Sequence, residues 1–222
     1  MSKLTALALF AAVSAQVLAG DLSKYREFQF GTSLSTVAKQ TGGSPTQAKV
    51  VQRRPALIEE FQWRPQTFGS TAKSEPVQEI VFSFYDSLLF RIVVNYDRYE
   101  TEGLTAEDII ETLSVKYGAA VKPAAAGKSA TGTYGDPEDA VALWQDAQYR
   151  FELIRSSYGP SYKLVGVSRK LEAPAQASIV EAARLDDKEA PQREADQTAK
   201  KDETERVKLE KARLANKPKF RP

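Results

Sequence analysis

The chain has 222 residues, 42% hydrophobic and 27% charged, with a formal net charge of +2, a composition that suits one or two globular domains. It contains neither cysteine nor histidine, which excludes disulfides, thiolate nucleophiles and cysteine-held zinc or iron–sulfur sites and removes the commonest general base and transition-metal ligand. Any chemistry would fall to carboxylates, Lys, Tyr, Ser and Thr.

The first twenty residues, MSKLTALALFAAVSAQVLAG, place Lys3 ahead of an apolar run from Leu4 to Ala15 and then small residues, the layout of a secretory signal peptide. Cleavage after Ala15 or after Ala19 would fit small residues at −3 and −1. Cleavage after Ala19, releasing Gly20, is preferred. An uncleaved membrane anchor is the alternative, but the run falls short of the roughly 20 apolar residues that span a bilayer. With no cysteine to lipidate, the expectation is an exported protein, periplasmic or secreted.

Next, FGTSLSTVAKQTGG (30–43) predicts a helix capped by Thr32 or Ser33, facing inward with Leu34, Val37 and Ala38 and stopped at Gly42. ALIEEFQW (56–63) reads as a strand. The most apolar stretch beyond the leader, EIVFSFYDSLLFRIVVNY (79–96), carries Ser83, Asp86, Arg91 and Asn95, too polar for a lipid-crossing helix. Its period of two puts Ile80, Phe82 and Phe84 on one strand face, and Leu88, Phe90, Ile92 and Val94 on one face of the next. These faces coincide if Phe84 lies opposite Leu88, which predicts a hairpin with a three-residue loop, Tyr85-Asp86-Ser87, Ser87 taking a left-handed conformation. The opposite face (Val81, Ser83, Arg91, Val93, Asn95) should be half wet.

GLTAEDIIETLSVKYG (103–118) predicts a second helix. Thr105 and Asp108 form a capping box, Leu104 staples onto Ile109, the buried stripe is Ile109, Ile110, Leu113 and Tyr117, and Gly118 ends it. After a loop from Ala119 to Glu138 come three strand-like segments, VALWQD (141–146), QYRFELIR (148–155) and YKLVGVSRK (162–170). Each half is thus one helix followed by three strands, a structural duplication without residue repetition. The predicted fold class is α+β, two helix-plus-three-strand halves forming antiparallel sheet covered by helices. The chain divides into a leader (1–19), the first half with the second half's helix (20–118), the remaining strands (119–173) and a charged tail (174–222).

The order FGTSLSTV, helix, then a strand pair ending RIVVNYD resembles small exported bacterial modules: the tandem repeats of the β-lactamase inhibitor protein and the outer-membrane assembly lipoproteins of the SmpA type. The resemblance covers residues 20–170 and lies in the order of elements, with no residue motif specific to either family. The inhibitor family has disulfides and the assembly family a lipidated cysteine. Neither exists here, so no binding residue or partner is carried over.

From Pro174 the composition turns charged. Ala175 to Lys188 predicts a helix with Ile179, Ala182, Ala183 and Leu185 able to dock, interrupted at Pro191. Beyond it no apolar stripe is wide enough to bury, so a solvated helix or a disordered tail is expected. Residues 197–222 hold nine basic and four acidic side chains. This basic end, with Lys217, Lys219 and Arg221, could contact an anionic surface.

Motifs for chemistry are weak. The GKS at 127–129 lacks the glycine of a phosphate loop five positions before Gly127, where Lys122 stands, and follows a helix rather than a strand. The acid pairs Glu59-Glu60, Asp108 with Glu111 and Asp186-Asp187 lie on opposed strand faces or exposed helical positions, and DPED (136–139) lacks a calcium-loop glycine. Trp63, Tyr96, Trp144 and Tyr149 are core candidates that could also line a groove. No catalytic, metal or cofactor residue is assigned, and a slightly acidic exported domain is a poor partner for nucleic acid. The reading is a non-catalytic binding or scaffold module of the cell envelope whose partner is another envelope protein. An envelope hydrolase with a carboxylate or Ser–Lys site and a membrane-tethered protein are the alternatives. Nothing in the sequence specifies an oligomeric state.

Overall fold

The computed structural model describes residues 20–65, 76–123, 138–156 and 161–219. The leader with Ala19, the GKS run and Arg221 lie outside the described residues.

In chain order the elements are a two-stranded ribbon, β1 (Lys24–Tyr25) and β2 (Phe28–Gln29); helix α1 (Leu34–Gln40); strands β3 (Lys49–Gln52), β4 (Ile58–Trp63), β5 (Val77–Tyr85) and β6 (Leu88–Tyr96); helix α2 (Ala106–Tyr117); strands β7 (Glu138–Gln145), β8 (Tyr149–Ser156) and β9 (Tyr162–Ser168); and helix α3 (Arg169–Asn216). β3 to β9 form one seven-stranded sheet in the order β3-β4-β5-β6-β9-β8-β7, antiparallel throughout. Two three-strand meanders, each preceded by a helix, therefore meet where their last strands pair, Ile92 opposite Gly166. The α+β class and the duplication are as expected. The first half also gains β3, whose four residues KVVQ alternate between exposed and half-buried, too short a pattern to mark a strand.

The β5–β6 hairpin corrects the expected loop. Tyr85 pairs with Leu88 and Phe84 with Leu89, so the loop is the two residues Asp86-Ser87, with φ of 46° and 64°. Positive φ at both central residues lets a tight turn follow the twist of its strands. Ser87 is left-handed as expected, helped by an Asp86 carboxylate that accepts from the Leu57 amide at 3.0 Å. Between the Phe84–Leu89 and Ser83–Arg91 pairs the register shifts, leaving Phe90 as a bulge. Phe82 then faces Ile92 and Ile80 faces Val94, so the predicted apolar face survives with two changes. Leu89 replaces Leu88, which is 40% exposed, and Phe90 turns to the other side of the sheet.

The main core lies on one sheet face. Ile80, Phe82, Phe84, Leu89, Ile92, Val94, Trp144, Phe151 and Leu164 pack beneath Phe28 and Phe30 of the ribbon segment, Leu34, Val37 and Ala38 of α1, and Ile109 and Tyr117 of α2. Local signals place both helices. The Ser33 hydroxyl accepts from the Thr36 amide at 3.3 Å. Thr105 accepts from the Asp108 amide at 3.2 Å, while the Asp108 carboxylate accepts from the Thr105 amide and hydroxyl, each at 2.8 Å, two bonds that hold the carboxyl below its usual range. Leu104, expected to staple onto Ile109, is 46% exposed.

The opposite face carries α3. It begins at Arg169 and runs through Pro174 and Pro191 to Asn216, which corrects both the expected start and the expected stop. A helix-interior proline removes one backbone hydrogen bond and costs about 3 kcal/mol. The docked stretch meets the sheet through Ala175 and Ser178, close to Ile58 and Phe90. Ile179 and Ala183, expected to dock, are exposed. Polar contacts fix the direction of the helix. Arg150 of β8 meets Glu172 at 3.3 Å, the Gln52 amide of β3 donates to the Ser178 hydroxyl at 2.9 Å, and Arg54 takes both carboxylate oxygens of Glu189. The rise from Glu172 to Glu189, roughly 25 Å, matches about five strand spacings. α3 therefore crosses the sheet from β8 to the β3 edge and continues past it, with every residue from Pro191 to Lys219 exposed.

Candidate functional site

Of the four aromatics that could line a groove, Trp144 and Tyr149 are taken up in packing. Trp144 is 1% exposed and its indole N–H donates to the Gly118 carbonyl at 3.0 Å. Tyr149 stacks on Phe30 at 5.6 Å, and Tyr96 is partly buried against the core. Tyr96 also borders a small pocket of about 160 Å3 with Asn95 and Tyr162, and Trp63 reaches a wider groove of about 660 Å3, lined by Thr41, Gly42 and Gly43 after α1, Gln47, Phe61 to Arg64 of β4 and its continuation, and Glu79 of β5. Gly43 is required by this shape: a Cβ there would stand 2.7 Å from Gln47 Oε1 and 2.8 Å from Phe61 Cζ. The groove rim carries an ion pair, Arg64 Nε to Glu79 Oε1 at 3.0 Å.

A second cluster gathers phenols and cations under the β1–β2 ribbon. Tyr25 hydrogen-bonds Tyr96, and burial, with Tyr25 and Tyr117 nearby, pushes the Tyr96 phenol well above its ordinary value. Tyr117 is 4% exposed, stacks on Phe151 at 4.6 Å, and its hydroxyl has no hydrogen-bond partner among the described residues. Burial pushes its phenol up as well. The Lys116 ammonium lies 5.5 Å from the Tyr117 ring centre and 5.8 Å from that of Tyr25. Partial burial, then Lys24 and Arg26, lower its pKa. Tyr25 and Tyr117 are buried and Tyr96 packs against them as part of the main core, so the phenols serve packing.

Its consequence is measurable. A phenol whose pKa is higher in the folded than in the unfolded state contributes stability that is complete below about pH 10 and lost as pH rises towards the folded value. Tyr117→Phe removes both that loss and an unsatisfied buried hydroxyl. The variant should be about 1 kcal/mol more stable at pH 8, and denaturant melts should show a smaller decline between pH 9 and pH 11. Equal declines in the two proteins would contradict the burial of this hydroxyl.

The acidic pairs are engaged elsewhere or apart. Glu59 accepts from Ser87 at 3.3 Å, Asp108 caps α2, and Asp186 pairs with Arg193 at 3.1 Å. Among the described residues no three acidic side chains are grouped to hold a metal ion, and no helix is long and apolar enough to cross a membrane. Gly20 packs on the end of α2, where a Cβ would fall 2.1 Å from the Tyr117 carbonyl carbon. Lys217 and Lys219 sit exposed in a short turn after α3. Trp63 was among the aromatics that the sequence offered for a groove, but its neighbours there, Gly43, Gln47, Arg64 and Glu79, come together only where the segment after α1 meets β4 and β5. Compared with protein-family models, curated proteins and solved structures, the chain matches none.

Proposed function

We propose that the chain is an exported, non-catalytic binding module of the cell envelope whose partner is another envelope protein. The observation that carries this reading is the free part of α3. From Pro191 to Asn216 it projects roughly 40 Å without burying a side chain. Ion pairs such as Glu203–Arg206 at 2.8 Å and Glu210–Arg213 at 2.7 Å run along it. Pairs of this kind supply only a few tenths of a kcal/mol each, so the arm contributes little to the fold and offers its surface to something else. Export rests on the leader: the mature chain begins at Gly20 and is neither lipidated nor tethered. The basic end, Lys217, Lys219 and Arg221, adds attraction to an anionic surface.

Removing residues 192–222 tests the division of labour. The shortened protein should melt within about 2 °C of the full chain, since almost no apolar surface is lost, yet should no longer co-purify the envelope partner from the source cell. A large fall in melting temperature, or an unchanged partner, would reject the arm as the binding element. Intact Met1 in a membrane pellet would reject export.

A further inference from the structure

We propose that the groove beside Trp63 is a binding site for a neutral saccharide. Its volume, about 660 Å3, is in the range that holds small ligands. Its apolar component is aromatic. Phe61 is buried and forms floor, while Trp63 is partly exposed and held edge-on by Phe28 at 5.7 Å and 66°, which fixes the indole without enclosing it. A pyranose ring presents C–H groups on its face and hydroxyls on its rim, and the negative π face of an indole attracts those C–H groups.

The polar groups suit the rim. Arg64 gives its Nε to Glu79 Oε1 at 3.0 Å, leaving both Nη groups and Glu79 Oε2 without another partner among the described residues. Such a donor next to an acceptor matches two neighbouring hydroxyls, each of which donates and accepts. Gln47 spends its Oε1 on the Ser44 amide at 2.9 Å and keeps its NH2 as a donor, and the exposed Gln62 also borders the groove. The charges of Arg64 and Glu79 cancel, which disfavours a phosphate or a cation. The mix of amides and an ion pair disfavours a lipid chain. The site is independent of the α3 arm, so the result here and the result at the arm fall or stand separately.

The chain has two tryptophans, and Trp144 is sealed in the core, so a change in emission on binding reports on Trp63. Cellotriose, maltotriose and chitotriose are titrated separately into the full protein. At least one should shift the emission to the blue and saturate with Kd between about 0.1 and 1 mM, the range of a small, shallow site. Trp63→Phe should lose the shift, and Glu79→Gln, with an unchanged melting curve, should weaken binding about tenfold. Absence of a shift with all three sugars up to ~10 mM, or a shift that survives in Trp63→Phe, would overturn the proposal. A saturating shift with an uncharged extended hexapeptide and none with the sugars would replace it with a peptide groove.

Discussion

Gly166→Val is expected to be the most damaging single change in the molecule, costing about 4 kcal/mol or more. Gly166 sits in the middle of β9 with Ile92 on one side and Phe151 on the other. A Cβ at this position would stand 2.3 Å from Phe151 Cε1 and 2.8 Å from Cδ1 and Cζ. The ring has no room to retreat: it is fully buried, stacked on Tyr117 at 4.6 Å and 5.9 Å from Phe30. Alanine alone must displace it and should cost about 2–3 kcal/mol, and valine more. The cause is checkable by a double-mutant cycle. With Phe151→Leu in the background, Gly166→Ala should cost at least about 1 kcal/mol less, because the two side chains compete for one volume. A neutral or stabilising Gly166→Ala in the wild-type background would refute the β8–β9 register.

Phe82→Ala and Phe90→Ala should differ in kind as well as in size. Phe82 is fully buried, meets Phe28 edge-on at 4.7 Å, and lies 6.3 Å from Phe61, so its removal opens a cavity at the centre of the main core and should cost about 4–5 kcal/mol. Phe90, though 3% exposed, belongs to a small cluster with Ile58 and Ala175, flanked by Tyr85 and Leu171. Its truncation should cost about 2–4 kcal/mol and should release α3. Hydrogen exchange would then speed up at Leu171 to Leu185 and leave β5 and β6 protected. If Phe90→Ala cost as much as Phe82→Ala while α3 stayed protected, Phe90 would face the main core and the bulge would be misplaced.

That hairpin shows how far a sequence pattern reaches. Which face a residue occupies depends on whether the two numbers of each opposed pair add to an even or an odd total. The expected three-residue loop and the observed two-residue turn plus one-residue bulge shift the register by two, so both keep Phe82 and Ile92 on one face. Alternation reveals faces. It is blind to a compensated shift, and only Phe90, Leu88 and Leu89, beside the bulge, changed sides or exposure. The caps of α1 and α2 were legible for a different reason: Ser33 with Thr36, and Thr105 with Asp108, are contacts within one turn.

What failed was non-local. Pro191 reads as a stop because its own backbone chemistry opposes helix, yet α3 passes through it just beyond Glu189, which Arg54 anchors from the far edge of the sheet. Ile179 looked like a docking residue by hydrophobicity. The helix instead presents Ala175 and Ser178, small enough to approach the sheet, with Gln52 bonded to the Ser178 hydroxyl. The groove likewise needs Gly43, Gln47 and β4 to converge, and no periodicity encodes that meeting.

The most direct measurement of the central claim is site-specific photo-crosslinking in the source cell, with the reactive group placed in turn at Lys201 and Lys208 on the free arm and at Ser35 on α1. A discrete adduct with one exported envelope protein is expected from both arm positions and none from Ser35. Adducts from Ser35 alone, or arm adducts confined to cytoplasmic proteins, would contradict it.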